Sequence, residues 1–150
     1  MKKLISILTG LLCVACMTDY SLTTEVEYKN NSSHDILFLS VRQSLSADQQ
    51  TIIETEEVIA TLPKDETYTF HASYTGSKDG YVPFYYIAVA NRIAWIQFGD
   101  SKKIGFPDSK YGSETIYEIA VEQKRYRKYT YTFTDADYQF ALENGTKLEW

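Results

Sequence analysis

Residues 22–29 read LTTEVEYK, and their parity sets the reading of the rest of the chain. Leu22, Thr24, Val26 and Tyr28 alternate with Thr23, Glu25, Glu27 and Lys29. That is the period of a strand with one face in a core and the other in water. Asn30-Asn31-Ser32-Ser33 follows as a turn cluster, because these side chains bond their own backbone in tight turns. Residues 35–41, DILFLSV, are apolar on both parities, as a central strand is.

Downstream the same signals recur. Residues 43–50 form a polar loop. Two short apolar runs, 51–53 and 58–62, precede a turn at Pro63-Lys64-Asp65-Glu66. Residues 67–74 alternate again, Tyr68, Phe70, Ala72 and Tyr74 facing one way and Thr69, His71 and Ser73 the other. Residues 75–80 are the most loop-like stretch. Residues 84–91 are apolar and fit either a strand or a short helix. Residues 92–98 and 103–106 suit a hairpin joined through Gly99-Asp100-Ser101-Lys102. A loop over 107–113, an apolar run over 115–121 and a Tyr/Thr-rich strand over 127–133 complete the β pattern.

One helix is expected, near the C-terminus. Thr134 is its N-cap, with Asp137 three residues on as an imperfect capping box. Asp135 and Asp137 suit the positive end of the helix dipole. Tyr138, Ala141 and Leu142 give an apolar face, Asn144-Gly145 a stop, and Trp150 a packed aromatic at the end. Seven to nine short strands with turn signals between them predict an all-β, antiparallel β-sandwich, immunoglobulin-like or transthyretin-like, with one short C-terminal helix.

Composition agrees. The chain has 150 residues, suiting one domain, with 44% hydrophobic and 23% charged residues, which argues against disorder. Thirteen Tyr, seven Phe and two Trp favour strands. A net charge of −5 argues against nucleic acid, whose phosphates need a positive field.

The N-terminus reads MKKLISILTGLLCVAC. Lys2 and Lys3 precede an apolar run that is too short to span a bilayer, which takes about 20 residues. It has the length and charge of a signal-peptide core. Cys13-Val14-Ala15-Cys16 resembles the lipobox of bacterial lipoproteins. That resemblance implies cleavage after Ala15 and a diacylglycerol on Cys16, since Cys13 follows the bulky Leu12. The chain departs from the family in having Cys13 where Leu is usual. A plain secretory peptide cleaved near Ala15 is the rival reading.

The expected organisation is therefore a leader over 1–15, a lipidated Cys16 with a tether to residue 21, and a β-sandwich over 22–150. Two or more acyl chains anchor stably where one does not. Five tether residues reach at most about 17 Å, which places the domain close to the membrane. Losing Lys2 and Lys3 moves the net charge from −5 to −7. With Cys13 removed and Cys16 modified, the mature domain has no disulfide and no catalytic thiol. The strand VEYKNNSSHDI, the hairpin WIQFGDSKKIGF and the late segment YTYTFTDADYQFAL resemble small Bacteroidetes-type lipoproteins of unknown function. That resemblance carries no activity to transfer, and it implies a home at the outer membrane, on its periplasmic face or at the cell surface. The acidic run that marks surface export in such lipoproteins is reduced here to Asp19.

Motifs with definite chemistry are scarce. There is no HExxH, GxSxG, GxGxxG or Walker loop. Asp135 and Asp137 lack the third ligand and glycine of a calcium loop, so capping is the preferred reading. His34 and His71 read as surface residues. Glu54, Glu56 and Glu57 read as a solvated strand edge, with a glycosidase-like carboxylate pair as the alternative. Two stretches are candidates for ligand contact. Lys124, Tyr126 and Lys128 share a strand face that suits anionic headgroups or acidic polysaccharide, or else guards an edge strand, paired with Glu118 and Glu122. Tyr81, Phe84, Tyr85 and Tyr86 belong to an aromatic loop suited to a sugar or protein partner, or else to the core. The expectation is a non-enzymatic module without cofactor or metal, tethered to membrane lipid through Cys16 and binding an envelope protein or glycan. Its alternatives are a hydrolase using Glu54, Glu56, Asp65 or Asp79, and an assembly subunit of pilus type.

Overall fold

A computed structural model describes residues 20–48, 50–76, 84, 86–100, 102–107 and 109–146. Their strands are β1 (Tyr20–Asn30), β2 (Ile36–Leu45), β3 (Ile52–Leu62), β4 (Thr67–Gly76), β5 (Trp95–Phe98), β6 (Lys103–Gly105), β7 (Glu118–Gln123) and β8 (Tyr126–Phe133). Among the described residues these strands are joined by two helices, α1 (Tyr86–Asn91) and α2 (Asp135–Asn144), and by two short 3-10 turns. The strands form two four-stranded sheets, ordered β4-β1-β8-β7 and β3-β2-β5-β6. The protein is an all-β sandwich with a short C-terminal helix.

The alternation in β1 is realised residue by residue: Leu22, Thr24, Val26, Tyr28 and Asn30 are buried, while the residues between them reach solvent. Asn30 fixes the turn that follows. Its Nδ2 donates to the carbonyls of His34 (2.8 Å) and Leu62 (3.0 Å), and its Oδ1 accepts from Ser32 N (2.9 Å). The turn thus ties the first sheet to the second.

The core between the sheets is largely aromatic. Tyr28 lies 5.1 Å from Phe38 and 5.4 Å from Phe133, and Phe38 meets Phe70 edge-on at 4.9 Å. The Tyr117 hydroxyl donates to the Tyr111 carbonyl (2.7 Å), so the neighbouring Tyr28 hydroxyl, 3.1 Å away, donates to Tyr117. Burial pushes the Tyr28 and Tyr111 hydroxyls well above the usual tyrosine range.

Several expectations change in three dimensions. The first sheet is mixed, because β1 and β8 run parallel, Thr23 opposite Tyr126 through Asn30 opposite Phe133. Consequently β8 lies between β1 and β7 and is not an edge, so the basic cluster guards no free edge. The runs at 51–53 and 58–62 belong to the single strand β3, and β2 extends to Leu45 into the stretch read as loop. The segment after residue 84 forms helix α1. Trp150 lies outside the described residues.

Candidate functional site

The two sheets treat their outer faces differently. On the first sheet the outward residues of β1 are Thr23, Glu25, Glu27 and Lys29, as water requires. On the second, the register places Leu37, Leu39, Val41, Gln43 and Leu45 of β2 beside Thr61, Val58, Glu56, Glu54 and Ile52 of β3. The same face continues through Trp95 and Gln97 of β5 to Gly105 and Lys103 of β6. Its opposite parity, Ile36, Phe38, Leu62, Ile96, Phe98 and Ile104, fills the core. The second sheet is therefore apolar on both sides.

This outer face is concave. A groove of about 900 Å³ is lined by Leu37, Leu39, Val41, Val58 and Trp95, with Glu54, Glu56, Gln97, Asp100 and Lys103 as its principal polar groups. The Trp95 ring lies over Gly105, where a side-chain carbon would stand 3.5 Å from the indole. Lys103 Nζ sits 4.9 Å from the ring centroid and pairs with Glu56, joining the two outer strands of the sheet across the groove. Gln43 Nε2 donates to Glu54 Oε1 at 2.8 Å. Trp95 Nε1 is buried and without a hydrogen-bond partner among the described residues. Val58 is 52% exposed, and at the far end of the face Leu45 and Ile52 are 63% and 62% exposed.

Residues singled out in the sequence fall elsewhere. Tyr126 OH donates to Glu25 Oε2 (2.9 Å) and Lys128 Nζ to Glu27 Oε2 (2.6 Å), so both are engaged by neighbouring β1. Lys124 lies in the turn between β7 and β8. Of the two glutamates expected near the cluster, Glu122 pairs with Arg127. Phe84 is buried against Tyr117 (4.5 Å) and Tyr129 (5.2 Å), so of its two readings this ring takes the core one. Tyr86 is half-buried with its ring 5.8 Å from that of Tyr74. Tyr81, Tyr85, Asp79 and Cys16 lie outside the described residues. Glu54 and Glu56 do share the groove, whereas Asp65 occupies the turn between β3 and β4. His34 stacks on Tyr138 at 3.8 Å, and His71 is exposed.

Asp137 has a structural task. It is buried, and its Oδ1 accepts from Lys110 Nζ (2.7 Å), Tyr131 OH (2.6 Å) and Tyr111 OH (3.1 Å), while Oδ2 accepts from Thr134 N (2.9 Å). Burial alone raises the carboxyl, but Lys110, the Tyr131 hydroxyl and the Thr134 amide outweigh it and hold it below the usual carboxylate range. No group of three or more metal-ligating side chains occurs among the described residues. None of their helices is long and apolar enough to cross a membrane.

The groove eluded sequence reading because its signal is spread over four strands. The hint was local: β2 is apolar on both parities. Comparisons with protein-family models, curated proteins and solved structures find no match for this chain.

Proposed function

We propose that the protein is a lipid-anchored, non-enzymatic binding module of the bacterial cell envelope, held at the outer membrane through Cys16, whose partner is an envelope protein or glycan seated in the groove of the second sheet. The observation that carries the reading is the apolar outer face, on which Val58 is exposed, Leu37, Val41 and Trp95 are half-buried and Leu39 is buried beneath them, on a sheet whose other side already fills the core. Contiguous exposed apolar surface rimmed by polar groups marks interaction sites. A few polar groups convergent on an apolar cleft give such a site its specificity. Supporting the anchor is the expected leader ending at Ala15, just before Cys16, with Tyr20 opening the first strand only four residues after that cysteine.

The test is a pull-down from envelope extract together with a glycan panel, comparing the native chain with Val58→Asn. This substitution lies on an exposed site and leaves the core intact. Capture of a discrete partner or glycan by the native chain, and its loss in the variant, is the expected result. Binding that ignores Val58, or no binding at all, overturns the assignment.

A second reading draws on Glu54 and Glu56 lining one cleft. Alternate residues of a strand point to one face, which brings both carboxyl groups to the same cleft, as a glycosidase pair requires. Turnover of polysaccharide that disappears in both Glu54→Gln and Glu56→Gln would establish it.

A further inference from the structure

We infer that the groove is a seat for the basic side chains of an extended peptide segment from a partner protein, and that Lys103 occupies this seat in the free protein. The assignment rests on the groove being the binding face proposed above.

The chemistry begins with Trp95. An indole face attracts cations through its quadrupole, most strongly where water is excluded. Here an ammonium stands over it, 4.9 Å from the centroid, while pairing with the Glu56 carboxylate. Lys103 thus shows what the seat accepts: a cation held between an aromatic face and a carboxylate. The other charged groups lining the groove are Glu54 and Asp100, both acidic. With Lys103 withdrawn, an incoming ligand meets three carboxylates and no lining cation. An acidic polysaccharide or peptide is repelled there, and a basic one is complementary.

The surroundings select an extended chain. Among the described residues β3 is the outermost strand of its sheet, bonded to β2 alone. A segment added along its free edge satisfies the ladder and places alternate side chains on the groove face, as in strand-addition complexes. There, opposite charges beside Glu54 and Glu56 are the favoured cross-strand pairs. The residues between them face away from the groove, and the alkyl stems of the basic side chains cover Val58.

Because Lys103 competes for its own seat, apparent affinity is reduced by the fraction of time the seat is free. The probe is a blocked hexapeptide of alternating arginine and valine, titrated into the full chain in non-ionic detergent. Calorimetry is read alongside the fluorescence of Trp95 in a Trp150→Phe background. Lys103→Met keeps an apolar stem over the indole and removes the competing charge. It is expected to tighten binding about five- to tenfold. Glu56→Gln is expected to weaken it about tenfold, and added salt to weaken all complexes. Glutamate–valine and serine–valine peptides are expected not to bind.

Equal or weaker binding by Lys103→Met, or comparable binding of the serine–valine peptide or a neutral oligosaccharide, overturns the assignment. If the arginine–valine peptide fails while Val58-dependent capture persists, the cation seat falls and the binding face stands. If capture also ignores Val58, both fall.

Discussion

Asp137 shows how a single side chain acquires a role that its local motif only half describes. Thr134 and Asp137 form the capping pair at the start of α2, as the Thr-x-x-Asp spacing suggests, with Thr134 N donating to Oδ2 at 2.9 Å. The other oxygen gathers Lys110, Tyr111 and Tyr131, residues from two other parts of the chain. Removing one member of such a buried set leaves the rest unsatisfied. Asp137→Ala is therefore expected to cost about 2–4 kcal/mol in urea unfolding. The same carboxyl makes stability depend on pH. Its folded-state value lies below the ordinary 3.8, so its contribution is complete above that value and is lost as pH falls through the folded one. Acid titration of the unfolding free energy should show this decline below about pH 4, and Asp137→Asn should flatten it. The surface reading of the histidines is right for His71, whereas His34 finds a ring partner in Tyr138, 3.8 Å away. That contact could not be read from a turn sequence, because the partner lies over a hundred residues away.

Elements were legible where their signals are local. β1, β4, the β5–β6 hairpin and α2 lie where alternation, turn residues and capping place them. Helix α1 was ambiguous because an apolar run of eight residues suits either period. The structure explains how it stops: Ile93 N donates to Ala88 O (2.9 Å) and Arg92 N to Val89 O (3.3 Å), a Schellman closure. Arg92 occupies the glycine position at φ 56°. Arg92→Gly is expected to stabilise the protein by about 1 kcal/mol, read as a raised Tm. A second expectation concerns the β2–β3 ribbon. Pairing of β2 with β5 ends at Leu39, and beyond it residues 42–45 and 52–57 are exposed. A two-stranded ribbon without a covered face is marginal in water. Its amides should exchange at least about a hundredfold faster than those of residues 36–39, by native-state hydrogen exchange. Protection equal to the core would show that something covers the ribbon in solution.

At the scale of the whole molecule, the proposed anchor and the proposed groove become one question: β1 opens at Tyr20, and the three residues between it and Cys16 reach at most about 10 Å, so a domain lipidated there would favour partners that share its membrane surface. Cys16→Ala is expected to abolish lipid labelling and leave the precursor unprocessed. Labelling that persists would place the anchor at another residue. What the sequence settled by itself was fold class: alternation, turn residues and aromatic loading are local properties, and burying one face of each strand leaves few architectures besides two packed sheets. Only the tertiary structure decided which strands are neighbours. The parallel pairing of β1 with β8 joins residues about a hundred positions apart, and no local pattern encodes it. The groove depends on the same information. Its Leu39, Val58, Trp95 and Lys103 each look ordinary along the chain, and they form a site only because register places them on one face of a curled sheet.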